Sequence, residues 1–165
     1  MNDRSGAAAV ALRPATRDDY PALLDIQYRA YRQKEVPLYG ENIPPLRETP
    51  ETVAKEVAEG KQVVVGERNG RIVASMRVKV LENGELYWGR LSVDPDLQGQ
   101  GIGQQMVRGI ENLFPDASGF VLDCGEKSAE NRHIYSKMGY VETGESFQVP
   151  NGPLVRVMRK NRSQV

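Results

Sequence analysis

A glycine-rich segment, Gln98-Gly99-Gln100-Gly101-Ile102-Gly103, directly precedes an apolar helical pattern. Glycine lets the backbone approach a ligand closely, and the first amides of a helix are unpaired and carry a partial positive charge. The segment therefore predicts a cradle for phosphate oxygens. It is not a Walker loop, because no Lys-Ser/Thr pair follows the last glycine, and no acidic residue at the right distance supports a dinucleotide site. The structural alternative is a turn that only packs the helix against the preceding strand.

Hydrophobic periodicity, together with proline and glycine, predicts the elements around this loop. A capping-box pattern at Thr16 precedes the first helix, and the prolines between residues 36 and 50 exclude a continuous helix there and predict a long loop. Asn69-Gly70 and Asn83-Gly84 are preferred hairpin turns and predict three antiparallel strands. The predicted order is strand 10–13, helix 20–31, loop 36–50, helix 50–60, three strands within 62–93, helix 102–114, strand 120–124, helix 131–138, and strands 140–149 and 154–159.

The predicted fold class is α/β of the α+β type. The strand that ends at Val93, the following helix and the strand at 120–124 form a right-handed crossover between parallel partners, so the sheet must be mixed. We predict a mostly antiparallel sheet of about seven strands with a parallel pair in the middle, flanked by about four helices. Residues 10–165 are expected to form one domain, and residues 1–9 a flexible leader.

Composition excludes several classes of partner. Lys plus Arg is 22 and Asp plus Glu is 22, so the formal net charge is zero and no global field favours nucleic acid or an anionic membrane. We therefore expect neither as a partner. Cys124 is the only cysteine, which excludes an intrachain disulfide and a cysteine-rich zinc site, and no metal cofactor is expected. With no signal peptide, the cytoplasm is the expected location.

Two segments occur in an order and spacing that are more specific than either segment alone. Leu91 to Gly103 contains Val-x-Pro at a strand end, followed by Gln-x-x-Gly-x-Gly, and Asn131 to Tyr140 contains Asn-x-x-x-Tyr-x-Lys-x-Gly-Tyr. Together they resemble the GCN5-related N-acetyltransferase (GNAT) family. The resemblance covers residues 11 to about 160 and is weakest at 35–50, where members of the family differ and acceptor choice is usually made. It implies the GNAT fold and acetyl-coenzyme A as co-substrate.

The resemblance also implies a role for each matching residue. The strand bonds the pantetheine arm through its backbone, the loop amides hold the pyrophosphate, and Asn131, one helical turn before Tyr135, contacts the coenzyme. Tyr135 is then the general acid that protonates the departing thiolate. The implied coenzyme-binding residues are Leu91, Ser92, Val93, Gln98, Gly99, Gln100, Gly101, Ile102, Gly103, Gln104, Asn131 and Tyr135.

The implied reaction is chemically consistent with these residues. A neutral amine that attacks a thioester builds an oxyanion, which a strand amide near Leu91 or Val93 could stabilise, and then expels a thiolate that needs a proton. An alkylamine with a pKa of ~10.4 is mostly charged at neutral pH, so a general base would help. Glu85 is the candidate base, and a solvent-facing residue beside the Asn83-Gly84 turn is the alternative.

Further residues are candidates for the acceptor side of the site. The aromatic candidates for the acceptor cleft are Tyr31, Tyr39, Tyr87 and Trp88. Tyr87 and Trp88 lie in mid-strand, where aromatic residues also serve as core. The carboxylates that flank the long loop, and either attract a cationic acceptor or form a solvated charged face, are Glu35, Glu41, Glu48 and Glu51. His133 is expected at the surface and Cys124 in the core.

Two functions are compatible with the sequence. The first is an N-acetyltransferase that transfers the acetyl group of acetyl-coenzyme A directly to an amine in a ternary complex. The acceptor would be a small amine, a polyamine or amino-sugar, or a peptide N-terminus or lysine. The second is a non-catalytic acyl-coenzyme A binding module that acts as a sensor or interaction partner. Tyr135 favours the first, because binding alone needs no proton donor. A homodimer is among the expected assemblies.

Overall fold

The computed structural model describes residues 9–162 of the 165-residue chain. The leader expected at residues 1–9 therefore lies, apart from Ala9, outside the described residues. Within this part of the chain there are seven strands and six α-helices. In chain order they are β1 (Ala11–Pro14), α1 (Tyr20–Lys34), α2 (Val36–Tyr39), α3 (Pro44–Arg47), α4 (Pro50–Ala58), β2 (Gln62–Arg68), β3 (Arg71–Val80), β4 (Leu86–Val93), α5 (Ile102–Leu113), β5 (Gly119–Gly125), α6 (Ala129–Lys137), β6 (Val141–Gln148) and β7 (Leu154–Asn161).

The described strands form one sheet with the order β1-β2-β3-β4-β5-β7-β6. Neighbouring strands are antiparallel except β4 and β5, which are parallel and lie in the middle of the sheet. The crossover from β4 through α5 to β5 produces this parallel pair, since a strand that returns in the same direction needs a long connection. The predicted mixed sheet with a central parallel pair is confirmed.

Helices cover both faces of the sheet. On one face α5 packs against β1, β3 and β4, and its buried side chains Ile102, Met106 and Ile110 recur at the spacing of one helix face. They join a cluster that includes Trp88 on β4 and Phe120 on β5, and so spans the parallel pair. On the other face α1 packs against β3 and β4, and α4 against β2. No helix within residues 9–162 combines the length and apolar character needed to cross a membrane.

The segment between residues 36 and 50 differs from the predicted loop. It contains two single-turn helices, α2 and α3, which raise the number of helices above the expected four. Pro37 and Pro44 lie in the first turn of these helices, where the missing amide hydrogen has no intrahelical acceptor to lose. The prolines do prevent a continuous helix. Thr49 caps α4 by accepting a hydrogen bond from the Thr52 amide.

Candidate active site

A cleft opens where β4 and β5 separate. Within residues 9–162 these two strands pair only at Leu86–Phe120 and Tyr87–Val121. Beyond this point β4 carries a bulge, because Gly89 lies opposite Arg77 and Ser92 opposite Ser75, which leaves two residues of β4 facing one of β3. A bulge bends its strand and increases its twist, which turns β4 away from β5. The resulting cleft has a volume of about 740 Å³.

The bulge requires an unusual backbone conformation at Arg90. Its φ angle is +54°, in the left-handed region that side chains other than glycine rarely adopt. From Trp88 to Val93 the β4 edge that faces β5 carries no ladder hydrogen bonds to that strand. A buried backbone edge needs hydrogen-bond partners, so this edge is suited to an extended ligand that lies in the cleft like an added strand.

The glycine loop closes one end of the cleft. Gly101 is the residue before α5 and has a φ of +75°, and Gly99 has a φ of +77°, so both positions favour glycine. The first intrahelical hydrogen bond of α5 runs from the Gln105 amide to the Gly101 carbonyl. The earlier amides of α5 therefore remain available to a ligand. The helix start and its dipole make this end of the cleft an anion site.

The loop is held in place by charged and polar contacts. Asp94 is almost fully buried and accepts hydrogen bonds from the Asp96 amide at 3.0 Å and from the Arg29 guanidinium at 3.0 Å. The hydrogen bond from Arg29 lowers the pKa of Asp94, so the carboxylate stays ionised at neutral pH. The Gln98 side-chain amide also donates to the Gln33 carbonyl oxygen on α1 at 2.6 Å. The loop is thereby fixed to α1.

Most of the residues predicted to bind the coenzyme line this cleft. They are Leu91, Val93, Gln98, Gly99, Gly101, Ile102, Gly103, Gln104, Asn131 and Tyr135. The side chains of Ser92 and Gln100 do not line it. Ser92 is buried, with its hydroxyl donating to the Arg90 carbonyl, and Gln100 accepts a hydrogen bond from Arg68.

Tyr135 projects from α6 into the middle of the cleft. Its ring packs edge-on against Trp88, with the ring centroids 5.2 Å apart and the planes at 87°. Burial is the largest cause that raises the pKa of its phenol, and no hydrogen bond to its hydroxyl is found within residues 9–162. The hydroxyl is therefore protonated at neutral pH and available to a ligand in the cleft.

The wall between α6 and the long loop is a hydrogen-bond network around Glu35. This carboxylate accepts hydrogen bonds from the Ser128 hydroxyl at 3.0 Å and from the Asn131 side-chain amide at 3.2 Å. Tyr39 also bonds Ser128, at 2.7 Å, and it reaches that position because Gly125 has no side chain to obstruct its hydroxyl. The side-chain amide of Asn131 therefore has Glu35 as a hydrogen-bond partner within the protein, in addition to any ligand.

The aromatic candidates for the acceptor cleft all line it. Tyr31, Tyr39, Tyr87 and Trp88 are among its wall residues. Trp88 is also core, because it is 2% exposed and its indole donates to the Tyr140 hydroxyl at 3.0 Å. A Cβ at Gly89 would lie 2.7 Å from the Tyr87 hydroxyl, so glycine at this position leaves room for the Tyr87 ring.

Glu85 lies outside this cleft, unlike the aromatic candidates. It precedes β4, at the end of the strand opposite to the glycine loop, and it is not among the wall residues. Its carboxylate binds Arg159 at 3.2 Å and accepts a hydrogen bond from the Asn83 side chain at 2.7 Å. The structure thus places the expected base in surface contacts of the hairpin turn. His133 is exposed, and Cys124 is buried, with burial raising the pKa of its thiol to about 12.

Sequence analysis did not predict five charged residues of the cleft, which are Lys34, Lys61, Arg77, Arg90 and Asp123. Asp123 on β5 lines the cleft and accepts a hydrogen bond from the Tyr87 hydroxyl at 3.0 Å. Arg77 and Arg90 line it from β3 and β4. The alternation of Arg77 with apolar neighbours in the sequence suggests that its side chain faces solvent. In the structure it is only 2% exposed, because α1 and α4 cover this face of the sheet. The sequence could have indicated Asp123, because it is a carboxylate between Leu122 and Cys124 in a strand predicted to be buried.

Comparison with known proteins identifies the family. Residues 59–142, just over half of the chain, match the family model described as an acetyltransferase (GNAT) domain. The chain belongs to the GNAT acetyltransferase family. By family it is an acetyl-CoA-dependent N-acetyltransferase, as the two sequence segments predict. The matched residues include β4, the glycine loop, β5 and α6, and so most of the cleft.

One relative and two solved structures illustrate the similarity. Over 56 residues, 34% of this chain and 37% of the relative, the sequence is 38% identical to the peptidyl-lysine N-acetyltransferase YjaB of Salmonella typhimurium. The aligned segment thus spans well under half of that relative's length. The PaiA N-acetyltransferase of Thermoplasma acidophilum in complex with coenzyme A superposes with a TM-score of 0.77 at 14% identity, covering 93% of this chain and 99% of that one.

The second structure is that of the putative acetyltransferase YncA of Salmonella typhimurium with its cofactor acetyl-CoA. It has a TM-score of 0.67 at 15% identity and covers 94% of this chain and 95% of that one. At such low identity both structures establish the fold and not the acceptor. The GNAT fold predicted for the chain is confirmed.

Proposed function

We propose that the chain binds acetyl-coenzyme A in the cleft between β4 and β5 and acetylates an amine that enters from the α1 side. The observation that carries this proposal is the position of Tyr135. Tyr135 lines the cleft, and its hydroxyl is protonated. The same cleft contains the edge of β4 that does not pair with β5 and the anion site at the start of α5. A proton donor, an extended backbone edge and a phosphate cradle are the three features that a thioester of coenzyme A requires.

The residues present fit the coenzyme. The amides of Gly101, Ile102 and Gly103 would hold its pyrophosphate, because glycine leaves them accessible and the dipole of α5 favours negative charge. The free edge of β4 around Leu91 and Val93 would bond the pantetheine amides. The bound coenzyme supplies an activated acetyl group and a thiolate leaving group.

Tyr135 would donate a proton to the departing sulfur. A thiol has a pKa near ~8.5 and a phenol one near ~10, so a buried phenol is protonated when the thiolate forms and can protonate it as charge develops. An amide of β4 near Leu91 would stabilise the negative charge on the carbonyl oxygen. No residue of the chain needs to carry the acetyl group, since the amine can attack it directly.

The acceptor would lie against the aromatic wall formed by Tyr31, Tyr39 and Tyr87. Asp123 is a carboxylate on this wall that an amine can reach, because it lines the cleft. The Tyr87 hydroxyl bonds only one of its two oxygens, which leaves the other for the amine. We assign Asp123, in place of Glu85, the role of receiving the acceptor's proton. Glu85 is engaged with Arg159 and Asn83 outside the cleft.

The location and assembly stay predictions. The single cysteine supports the cytoplasm, where thiols are kept reduced. A homodimer is supported by β6, an edge strand whose Val141 and Phe147 are exposed. The peptidyl-lysine acceptors of YjaB are one acceptor class to test, alongside small amines.

The first test is the replacement Tyr135→Phe, which keeps the ring against Trp88 and removes only the hydroxyl. We expect the turnover number to fall by roughly 10²-fold, the scale of general acid catalysis, with little change in coenzyme affinity. Thiol release from acetyl-coenzyme A is followed with an amine panel, and coenzyme binding by calorimetry. The non-catalytic sensor predicts binding in both proteins and no amine-dependent thiol release in either.

Tyr20→Phe is the matched control. Tyr20 is a buried tyrosine of α1 that packs in the second apolar cluster, away from the cleft. It should keep wild-type turnover, and thermal melts of all three proteins confirm that folding is equal. A loss below about threefold in Tyr135→Phe would remove Tyr135 from the acid role, because general acids contribute far more than this.

A further inference from the structure

A cluster of charged side chains forms the floor of the cleft on the acceptor side. Arg77 of β3 donates to the Glu48 carboxylate at 3.0 Å, and Arg90 of β4 lies 3.1 Å from the other oxygen of Glu48. Glu56 lies 3.8 Å from Arg77 and 3.6 Å from Lys61. The cluster, which we call the arginine floor, thus combines the cations Arg77, Arg90 and Lys61 with the carboxylates of Glu48 and Glu56.

The arginine floor combines three cations with two carboxylates, and within residues 9–162 one buried oxygen of Glu48 and one of Glu56 make no hydrogen bond, as is also true of donors of Arg77. Arg77 is 2% exposed, yet its Nε and one terminal nitrogen have no hydrogen-bond partner within residues 9–162. Burial lowers the pKa of Arg77 even though Glu48 and Glu56 oppose that change. A buried guanidinium with free donors normally has a planar anion beside it, because each unpaired group costs free energy.

Arg90 lines the cleft, and its guanidinium makes no hydrogen bond in the described part of the chain. Its side chain is 25% exposed, and its one ion-pair contact is with Glu48. The residue is held in the left-handed conformation by the bulge. Such a strained position is maintained only where the surrounding structure enforces it, and it commonly occurs at ligand sites. Two guanidiniums therefore line the acceptor space, and Arg90 has donors beyond its one contact with Glu48 that a ligand could use.

We propose that the acceptor is an amine that also carries a carboxylate, of the free α-amino-acid type, and that Arg90 and Arg77 bind this carboxylate. The proposal rests on the proposed acetyl transfer and specifies its acceptor class. A carboxylate is planar and accepts two parallel hydrogen bonds from a guanidinium, so it matches the donors that the floor leaves unpaired. A bound carboxylate would also neutralise the surplus positive charge of the arginine floor.

The opposite wall completes a site for a zwitterion. Asp123 lies on β5, across the cleft from β3, and the positive charge of Arg90 is close enough to lower the pKa of Asp123. A ligand with its ammonium at Asp123 and its carboxylate at Arg90 would have both charges paired. A polyamine or a lysine side chain within a peptide would bring only positive charge to two arginines, which costs free energy.

A purely structural role explains the cluster less well. Glu48 lies just before α4 and accepts a hydrogen bond from the Gln27 side-chain amide, and Gln27 accepts one from Arg77. These contacts are enough to anchor the long loop without Arg90. A buried ion pair of this kind is seldom more stabilising than apolar residues of similar volume. Anchoring by Arg77 and Gln27 also gives no reason for a second guanidinium, that of Arg90, to line the cleft beside Glu48. Binding of an anionic group accounts for both arginines.

The experiment compares acceptors that differ only in the carboxylate. Thiol release at saturating acetyl-coenzyme A is measured for glycine, L-alanine, L-methionine, L-phenylalanine and L-glutamate, each against its α-amide, with spermidine and a lysine peptide. We expect kcat/KM of at least one amino acid to exceed that of its amide by about 10-fold or more, the scale of a charge-assisted pair. The less basic amine of an amide favours the amide chemically, so this preference can only come from the protein.

The matched variants are Arg90→Gln and Arg108→Gln. Arg90→Gln should reduce the preference for the carboxylate to below about threefold, because it removes one charge-assisted contact. Arg108 is exposed on α5 outside the cleft, and its variant should behave as wild type. Arg90→Gln leaves Glu48 paired with Arg77, and thermal melts check that it folds.

A binding measurement keeps this inference separate from the proposed acetyl transfer. Calorimetry of 3-phenylpropanoate and 3-(methylthio)propanoate with coenzyme A-loaded protein reports on the carboxylate site without any chemistry. Binding that Arg90→Gln weakens about 10-fold supports the site even if no amine is acetylated. Turnover of amides, spermidine or the lysine peptide at rates equal to the amino acids would overturn the inference and leave acetyl transfer intact. Failure of both carboxylates to bind would also overturn it.

Discussion

The carboxylate of Asp123 combines burial with access to the cleft. Burial is the largest influence on it and raises its pKa, while the hydrogen bond from Tyr87 and the charges of Arg90 and Lys61 act in the opposite direction. A raised pKa makes a carboxylate a better proton acceptor near neutral pH than an ordinary aspartate with a pKa of ~3.9. Because burial disfavours the ionised form, this charge reduces stability fully above the folded-state pKa, and the penalty declines as the pH falls from that pKa to the lower pKa of the unfolded state.

Asp123→Asn tests this residue, because asparagine keeps an acceptor for the Tyr87 hydroxyl and cannot take a proton. We expect kcat/KM for the amine to fall roughly 10²-fold, and the acidic limb of its pH profile, which lies above the range of an ordinary aspartate, to disappear. Thermal stability at pH 8 should be unchanged or higher, because a desolvated charge is removed. Asp116→Asn, at an exposed position, is the control. An acidic limb that persists in Asp123→Asn would assign the base to another group.

Single residues were predictable where the motif itself fixes their geometry. Asn131 and Tyr135 are one turn apart on α6, and both line the cleft as this spacing requires. Glu85 was chosen by its approximate position along the strand, and the bulge at Arg90 and the hairpin contacts to Arg159 are invisible in such spacing. Arg77 was missed because alternation separates the two faces of a strand without showing that helices cover both.

The element that decides access to the cleft is the start of α5. Gly101 has a left-handed conformation directly before the helix, and Gly101, Ile102 and Gly103 line the cleft at the point where the first amides of a helix have no intrahelical partners. Apart from its two chain neighbours, no atom of the described residues lies within 4 Å of the position where a Cβ of Gly101 would be, so a side chain there meets no steric obstacle from them. Its costs are backbone strain and a group placed where a phosphate would approach.

Gly101→Val should therefore weaken coenzyme A binding strongly, by about 10-fold or more, because a β-branched residue is a poor match for a positive φ. Calorimetry with coenzyme A measures the effect, and circular dichroism confirms that the fold is intact. Gly70→Val is a matched control, because Gly70 also has a positive φ, of +73°, but lies in the β2–β3 turn outside the main cleft. Equal coenzyme affinity in wild type and Gly101→Val would exclude the loop from the site.

Elements with one clear period were predicted well, and irregular ones were not. The crossover helix α5 and the hairpins at Asn69-Gly70 and Asn83-Gly84 follow from strong local patterns. The turns α2 and α3 are too short to show periodicity, and proline in their first turn resembles a loop signal. The separation of β4 from β5 depends on pairing between distant strands, which no local window contains.

At the scale of the whole molecule, the sheet consists of two parts joined at the cleft. The part from β1 to β4 and the part formed by β5, β7 and β6 share the two residue pairs at the start of β4 and the apolar cluster beneath α5 and α6. Beyond these pairs the free edges face each other across the cleft. A ligand that bonds one edge and contacts α6 would therefore link both parts.

Coenzyme A should for this reason stabilise the entire domain and not only the loop that it contacts. A ligand that binds only the folded state stabilises it by RT ln(1 + [L]/Kd), about 2.7 kcal/mol at a concentration 100 times Kd. For a domain of this size each 1 kcal/mol raises the melting temperature by about 2–4 °C, so an increase of roughly 5–10 °C is expected. Differential scanning calorimetry with increasing coenzyme A measures the increase, and hydrogen exchange should show slower exchange of the amides from Trp88 to Val93, which have no ladder partner on β5.

Gly101→Val should show a smaller increase at the same concentration, whereas Tyr135→Phe should match the wild type because its lost hydroxyl acts in the reaction. A melting temperature that coenzyme A does not change at millimolar concentration would contradict binding in the cleft, and protection confined to the glycine loop would contradict the link between the two parts of the sheet.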